Sequence, residues 1–126
     1  MVVDTSALLA VFFAEPHGEW VAEQLAAHAV ELRMSTVNLT ETLILVRDRQ
    51  PHLYEQIEAE ILSSGIQFVP PDVQQAQIAA EARLRYPLNL GDCFAYALAV
   101  VEECPILVLD SDFRAVDRPV LAPAPS

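Results

Sequence analysis

The chain has 126 residues, 53% of them hydrophobic, which suits one α/β-sized domain over residues 1–126 with a continuous core. Its formal charge is −11 and it contains no lysine, which runs against the usual nucleic-acid binder, where Lys and Arg replace phosphate counterions. There is no apolar run of about 18 residues and no basic stretch ahead of an apolar one at the N-terminus. Neither a membrane span nor a secretory signal is therefore predicted, and the expected location is cytoplasmic.

Met1-Val2-Val3-Asp4 is a short apolar run ended by an acid, and Thr5 to Phe13 has helical content up to Glu15-Pro16, so the chain opens as strand then helix. Pro16 suits the first turn of a second helix reaching about Ala29, with Trp20, Val21, Leu25 and Ala29 on one buried face. Glu31 to Ser35 reads as a second strand, and Thr36 to Arg49 as a helix. Pro51 starts another helix, which stops at Ser64-Gly65. Ile66 to Val69 is β-rich; Asp72 then caps a helix to about Tyr86, where Pro87 ends it. A last helix is predicted from Asn89 to Glu103, followed by the strand-like Pro105 to Leu109. From Pro119 the tail allows a short edge strand before proline-rich fraying.

Strands separated by helices favour a parallel sheet with both faces covered, and in such sheets ligands gather at the carboxyl ends of the strands. Asp4 and Asp110 end two predicted strands at that edge. Glu41 lies in the first two turns after the second strand, and Asp92 opens the helix that must finish at the amino end of the Ile106 strand. Asp112 shares a loop with Asp110. Five carboxylates from four segments are thus predicted to converge.

Each acid also has a purely structural reading. Asp4 can cap the Thr5 helix, Asp92 can be the third residue of a helix capped by Asn89, and Asp110-Ser111-Asp112 can be a turn. Glu41 resists this, because Val37, Ile44 and Leu45 place it on an apolar stripe where an acid needs a partner. Two carboxylates 4 Å apart repel by roughly 4 kcal/mol at an effective dielectric near 20. No lysine or histidine lies in these segments to relieve this, so a hard oxygen-seeking cation, Mg²⁺ or Mn²⁺, is expected rather than zinc. Such an ion polarises phosphodiesters and acidifies water.

The remaining chemistry-bearing residues form no pattern. Cys93 and Cys104 match neither a zinc pair nor a redox motif, and His17, His28 and His52 are scattered. The pairs Arg47 and Arg49, Arg83 and Arg85, and Arg114 and Arg118 are either a local cationic rim or ordinary surface charge.

Four segments carry a family resemblance: Val3-Asp4-Thr5-Ser6-Ala7-Leu8, Ser35-Thr36 leading to Glu41, Leu90-Gly91-Asp92-Cys93-Phe94-Ala95-Tyr96-Ala97, and Leu109-Asp110-Ser111-Asp112-Phe113. They resemble the PIN-domain ribonucleases, and among these the VapC-type toxins of toxin-antitoxin pairs. The resemblance implies a three-layer α/β/α domain with a mostly parallel sheet of four or five strands, assembled as a homodimer. It also implies Mg²⁺ or Mn²⁺ held by Asp4, Glu41 and Asp92, with Asp110 or Asp112 as a further acid or as holders of a second ion. The implied activity is endonucleolytic RNA cleavage by a metal-activated water, leaving 5′-phosphate and 3′-hydroxyl ends. The implied partners are RNA and a small VapB-type antitoxin. Thr5 and Ser6 are expected to position Asp4 or a water, or to begin the first helix.

Two departures from that pattern remove positive charge: Tyr86-Pro87-Leu88-Asn89 replaces a longer basic segment, and Leu109-Asp110-Ser111 replaces a Lys-Gly pair. They motivate an alternative, a weakly active or inactive module that serves as the partner-binding half of a toxin-antitoxin complex. A receiver-like phosphoacceptor domain would need a lysine opposite the acids, and the chain has none.

Overall fold

The computed structural model describes residues 1–124; the expected fraying of the last two residues lies outside them. Five short strands form one sheet: β1 (Val2–Val3), β2 (Arg33–Ser35), β3 (Gln67–Val69), β4 (Ile106–Leu107) and β5 (Val120–Leu121). Their spatial order is β3-β2-β1-β4-β5, and every neighbouring pair is parallel. The chain builds outward from β1 to one side, then returns to build β4 and β5 on the other. The order therefore reverses between β1 and β4, where open parallel sheets offer a crevice at their carboxyl ends.

Six helices connect the strands: α1 (Thr5–Phe12), α2 (Gly18–Ala27), α3 (Thr36–Arg49), α4 (Tyr54–Leu62), α5 (Val73–Arg85) and α6 (Leu90–Glu102). Their starts follow local chemistry. Ser35 accepts from the Val37 N–H at 3.2 Å to open α3, and Asp72 accepts from the Gln75 N–H at 2.9 Å to open α5. Arg47 and Arg49, like Arg83 and Arg85, occupy last turns, where the helix dipole favours cations.

Alternation along the strands creates two cores. Val3 and Leu107 pack with Leu8, Val21, Met34, Val46 and Ile61 against α1 to α4, whereas Val2 and Ile106 pack with Ala79, Ala95, Leu98 and Phe113 against α5 and α6. The result is the three-layer α/β/α arrangement that was expected. No helix among the described residues is long and apolar enough to cross a membrane.

Three local expectations need correction. The second helix begins at Gly18 rather than Pro16, because Ala14 (φ 49°) and His17 (φ 71°) are left-handed and turn the chain before it. A side chain at position 18 would collide with the Ala10 carbonyl, so glycine permits α2 to approach α1. The helix also stops at Ala27, which leaves Ala29 exposed and outside the buried face. The Pro51 region is a single 3₁₀ turn (Pro51–Leu53) leading into α4, and the Pro105 to Leu109 strand pairs only over Ile106–Leu107.

Candidate metal centre

Asp4 follows β1 directly and caps α1, and the residue is 1% exposed. Its Oδ2 accepts from the Ser6 N–H at 3.2 Å and from Ser6 Oγ at 2.7 Å. Ser6 Oγ in turn accepts from the Leu109 N–H at 3.2 Å, which ties the start of α1 to the segment after β4. The Oδ1 atom of Asp4 is buried with no hydrogen-bond donor. Burial, reinforced by the charge of Glu41 and opposed by the Ser6 hydrogen bonds, pushes the Asp4 carboxyl up to about 6.

Asp92 is also buried, and lies two residues into α6 in a reciprocal capping box. Its N–H donates to Asn89 Oδ1 at 2.8 Å, while its Oδ2 accepts from the Asn89 N–H at 3.2 Å. Burial first, then the negative charges of Asp4, Asp110 and Glu41, raises its carboxyl to about 7. These couplings identify one electrostatic neighbourhood fed by α1, α3, α6 and the segment after β4.

Among the described residues, Asp92, Asp110 and Asp112 are the acids whose carboxylate oxygens lie within 4.8 Å of one another. Asp110 caps the 3₁₀ turn Ser111–Ala115 by accepting from the Asp112 N–H at 2.8 Å, so the turn expected there also sets the spacing of the two acids. Asp4 and Glu41 adjoin this trio but are not members of it. The tightest grouping is therefore centred on the loop after β4, and not on Asp4, Glu41 and Asp92.

Glu41 is half-buried on α3, but the apolar stripe expected around it is not what holds it. Ile44 is 61% exposed, and the buried face of α3 is Asn38, Thr42 and Val46. The Glu41 Oε1 atom instead accepts from Thr5 Oγ1 at 3.0 Å and from Asn38 Nδ2 at 3.3 Å. The Thr5 hydroxyl thus serves Glu41, while the Ser6 hydroxyl serves Asp4.

Two organising residues escaped the sequence reading. Asn38, fully buried, places Nδ2 near Thr5 Oγ1 (3.2 Å), Glu41 Oε1 (3.3 Å) and the Gly91 carbonyl (3.0 Å), linking α1, α3 and α6. Gly91 lies under Glu41, and a Cβ there would overlap the Glu41 carboxylate. An asparagine three residues before an acid on one helix, and a glycine beside Asp92, were the available signals.

An all-oxygen donor set, an unpartnered buried Asp4 oxygen and carboxylates grouped more closely than uncompensated charge favours together fit a hard divalent cation. Ser6, Asn38, Thr5 and Asn89 hold the acids in place without neutralising them.

The fold and this acidic crevice define the chain as a member of the PIN-domain family, whose profile matches residues 1–119. A protein named Ribonuclease VapC from Mycolicibacterium smegmatis is 36% identical over 126 residues, covering 93% of this chain and 96% of that one. Among solved structures, Mycobacterium tuberculosis VapC20, described as a sarcin-ricin loop cleaving toxin, superposes with a TM-score of 0.80 at 20% identity, covering 93% and 95% of the two chains. VapBC2 from Rickettsia felis, bound to a DNA fragment from its promoter, superposes with a TM-score of 0.78 at 13% identity, covering 96% of each chain.

Proposed function

We propose that this protein is a metal-dependent endoribonuclease of the VapC type, with Asp4, Glu41, Asp92, Asp110 and Asp112 as its acidic centre. The observation that carries the reading is the close grouping of Asp92, Asp110 and Asp112 at an edge where the strand order reverses, with the neighbouring Asp4 Oδ1 left unpartnered. The relatedness to a protein named Ribonuclease VapC supports the choice of RNA as substrate.

Asp92, Asp110 and Asp112 would hold the cation, with Asp4 and Glu41 on its flank. Bound Mg²⁺ or Mn²⁺ supplies the positive charge that polarises a phosphodiester and makes water a competent nucleophile. Ser6 keeps Asp4 Oδ2 engaged and leaves Oδ1 available, while Thr5 and Asn38 keep the Glu41 carboxylate over Gly91. With carboxyls raised to about 6 and about 7, Asp4 is largely ionised at neutrality while Asp92 is about half protonated, so a cation that binds there displaces a proton chiefly from Asp92. Attack by water on phosphorus, with the P–O3′ bond breaking and the 3′ oxygen leaving as the protonated hydroxyl, would give 5′-phosphate and 3′-hydroxyl ends.

The same reading makes the chain a one-domain, cytoplasmic toxin that pairs as a homodimer and is restrained by a small VapB-type antitoxin. Its test is cleavage of a labelled RNA by antitoxin-free protein. The expected result is Mg²⁺- or Mn²⁺-dependent cutting that is abolished by chelation and by Asp92→Asn. Cleavage that survives chelation, or 2′,3′-cyclic phosphate ends, overturns the chemistry. A folded, metal-binding protein that cuts no RNA supports the alternative motivated by the −11 charge, a partner-binding module without catalysis.

A further inference from the structure

A phosphate strand approaching this acidic rim needs a cation that is not already neutralised, and the chain has seven arginines against eighteen acids. Most are otherwise engaged or remote. Arg33 lies 3.6 Å from a Glu102 oxygen and Arg85 lies 3.5 Å from an Asp117 oxygen. Arg118 donates to the Cys104 carbonyl at 3.4 Å, Arg47 stacks on the Tyr54 ring away from the two cavities that include Asp110, and Arg83 lines an apolar recess beside Leu90 and Phe94. Two remain near the acids. Arg114 shares a cavity with Asp110 but has no ring or carboxylate to fix it among the described residues.

Arg49 is different. It lines a cavity of about 440 Å³ together with Ser6, Leu109 and Asp110, so this cavity reaches the acidic centre at Asp110. Its guanidinium lies over the Phe13 ring, 4.9 Å from the centroid. Among the described residues it makes no ion pair within 4.0 Å, although Glu15 lies on the same cavity wall. A stacked, planar guanidinium is pre-organised and keeps its in-plane donors for a phosphate oxygen.

We infer that Arg49 binds a phosphate of the RNA strand next to the one that is cleaved, and so positions the substrate across the acidic centre. Arg49 shares its cavity with Asp110 alone of the five acids and lies eight residues, about 12 Å, beyond Glu41 along α3, at the outer side of the centre, which assigns it to a neighbouring phosphate and not to the reacting one. The inference rests on the ribonuclease reading and adds a substrate contact that the acids themselves cannot supply.

The test compares wild type, Arg49→Ala, Arg49→Lys and, as a control on the same helix turn, Arg47→Ala. Each is assayed with a labelled single-stranded RNA in Mg²⁺ across a KCl series, alongside the thermal shift produced by Mg²⁺ alone. Arg49→Ala should raise KM about tenfold with kcat little changed. Its plot of log kcat/KM against log[KCl] should be shallower by about 0.7, the loss of one phosphate contact on a single strand. Arg49→Lys should keep the slope with an intermediate KM, Arg47→Ala should match wild type, and the Mg²⁺ shift should be the same in all four. An active wild type whose Arg49→Ala variant keeps its KM and salt slope overturns this inference alone, as does a fall in kcat with the slope unaltered. A wild type that binds Mg²⁺ yet cleaves nothing overturns the ribonuclease reading, and this inference with it.

Discussion

Replacing Gly91 by alanine probes one packing relation, because the atoms nearest the added methyl are the end of the Glu41 side chain. In an ordinary helix the change stabilises by about 1 kcal/mol, since alanine loses less backbone entropy. Here the Glu41 carboxylate must swing away and forfeit its bonds to Thr5 Oγ1 and Asn38 Nδ2. Hydrogen bonds to charged groups contribute about 1.5–3 kcal/mol each, less at a half-exposed carboxylate. The net expectation for Gly91→Ala in cation-free protein is a loss of roughly 1–3 kcal/mol. In a Glu41→Ala background the obstacle is gone, and the same substitution should be neutral or stabilise by up to about 1 kcal/mol. Urea unfolding of the four proteins of this cycle measures the coupling, which should reach roughly 1–4 kcal/mol. An equal cost of Gly91→Ala in both backgrounds would refute the argument that glycine is there to admit the carboxylate.

Asp4→Asn should stabilise cation-free protein at pH 8 by roughly 1–3 kcal/mol, because it removes a buried charge but leaves an oxygen for the Ser6 donors. A lower urea midpoint at that pH would contradict this. Wild-type stability should show the matching pH dependence. Asp4 and Asp92 are raised above the ordinary 3.8 of an unfolded aspartate, so the native state binds more protons between about pH 4 and pH 7. Their contribution is complete below pH 4 and is lost as pH rises through the native values, so the cation-free melting temperature should fall from pH 5 to pH 8. Millimolar Mg²⁺ should restore it at pH 8 and have little effect at pH 5, where protons occupy the carboxylates; equal Mg²⁺ shifts at both pH values would count against coupled proton and metal binding.

Much of this arrangement was legible because its determinants are local. Ser35 and Asn89 each carry a side chain that closes a helix start within three residues, so α3 and α6 are read from sequence to within a residue. The convergence of the acids followed from connectivity, since a parallel sheet places every strand end and every returning helix start on one edge. Contacts between neighbouring helices were not legible. Whether Thr5 serves Asp4 or Glu41 depends on how α1 lies against α3, and the role of Gly91 exists only because α3 brings a carboxylate above it. The start of α2 was hidden by left-handed Ala14 and His17, residues whose identities do not announce that conformation. Strand length was overestimated at β4 because Val108 and Leu109 are apolar like their neighbours, although the β4 pairings with β1 and β5 stop at Leu107.

Asp4, Asp92 and Asp110 each close a helical start as well as facing the crevice. Architecture alone therefore gives reason to retain them, even in a descendant that no longer cut anything. Glu41 and Asp112 close no such start with their side chains. They are the acids whose exchange would reveal that a copy of this chain had exchanged chemistry for mere assembly.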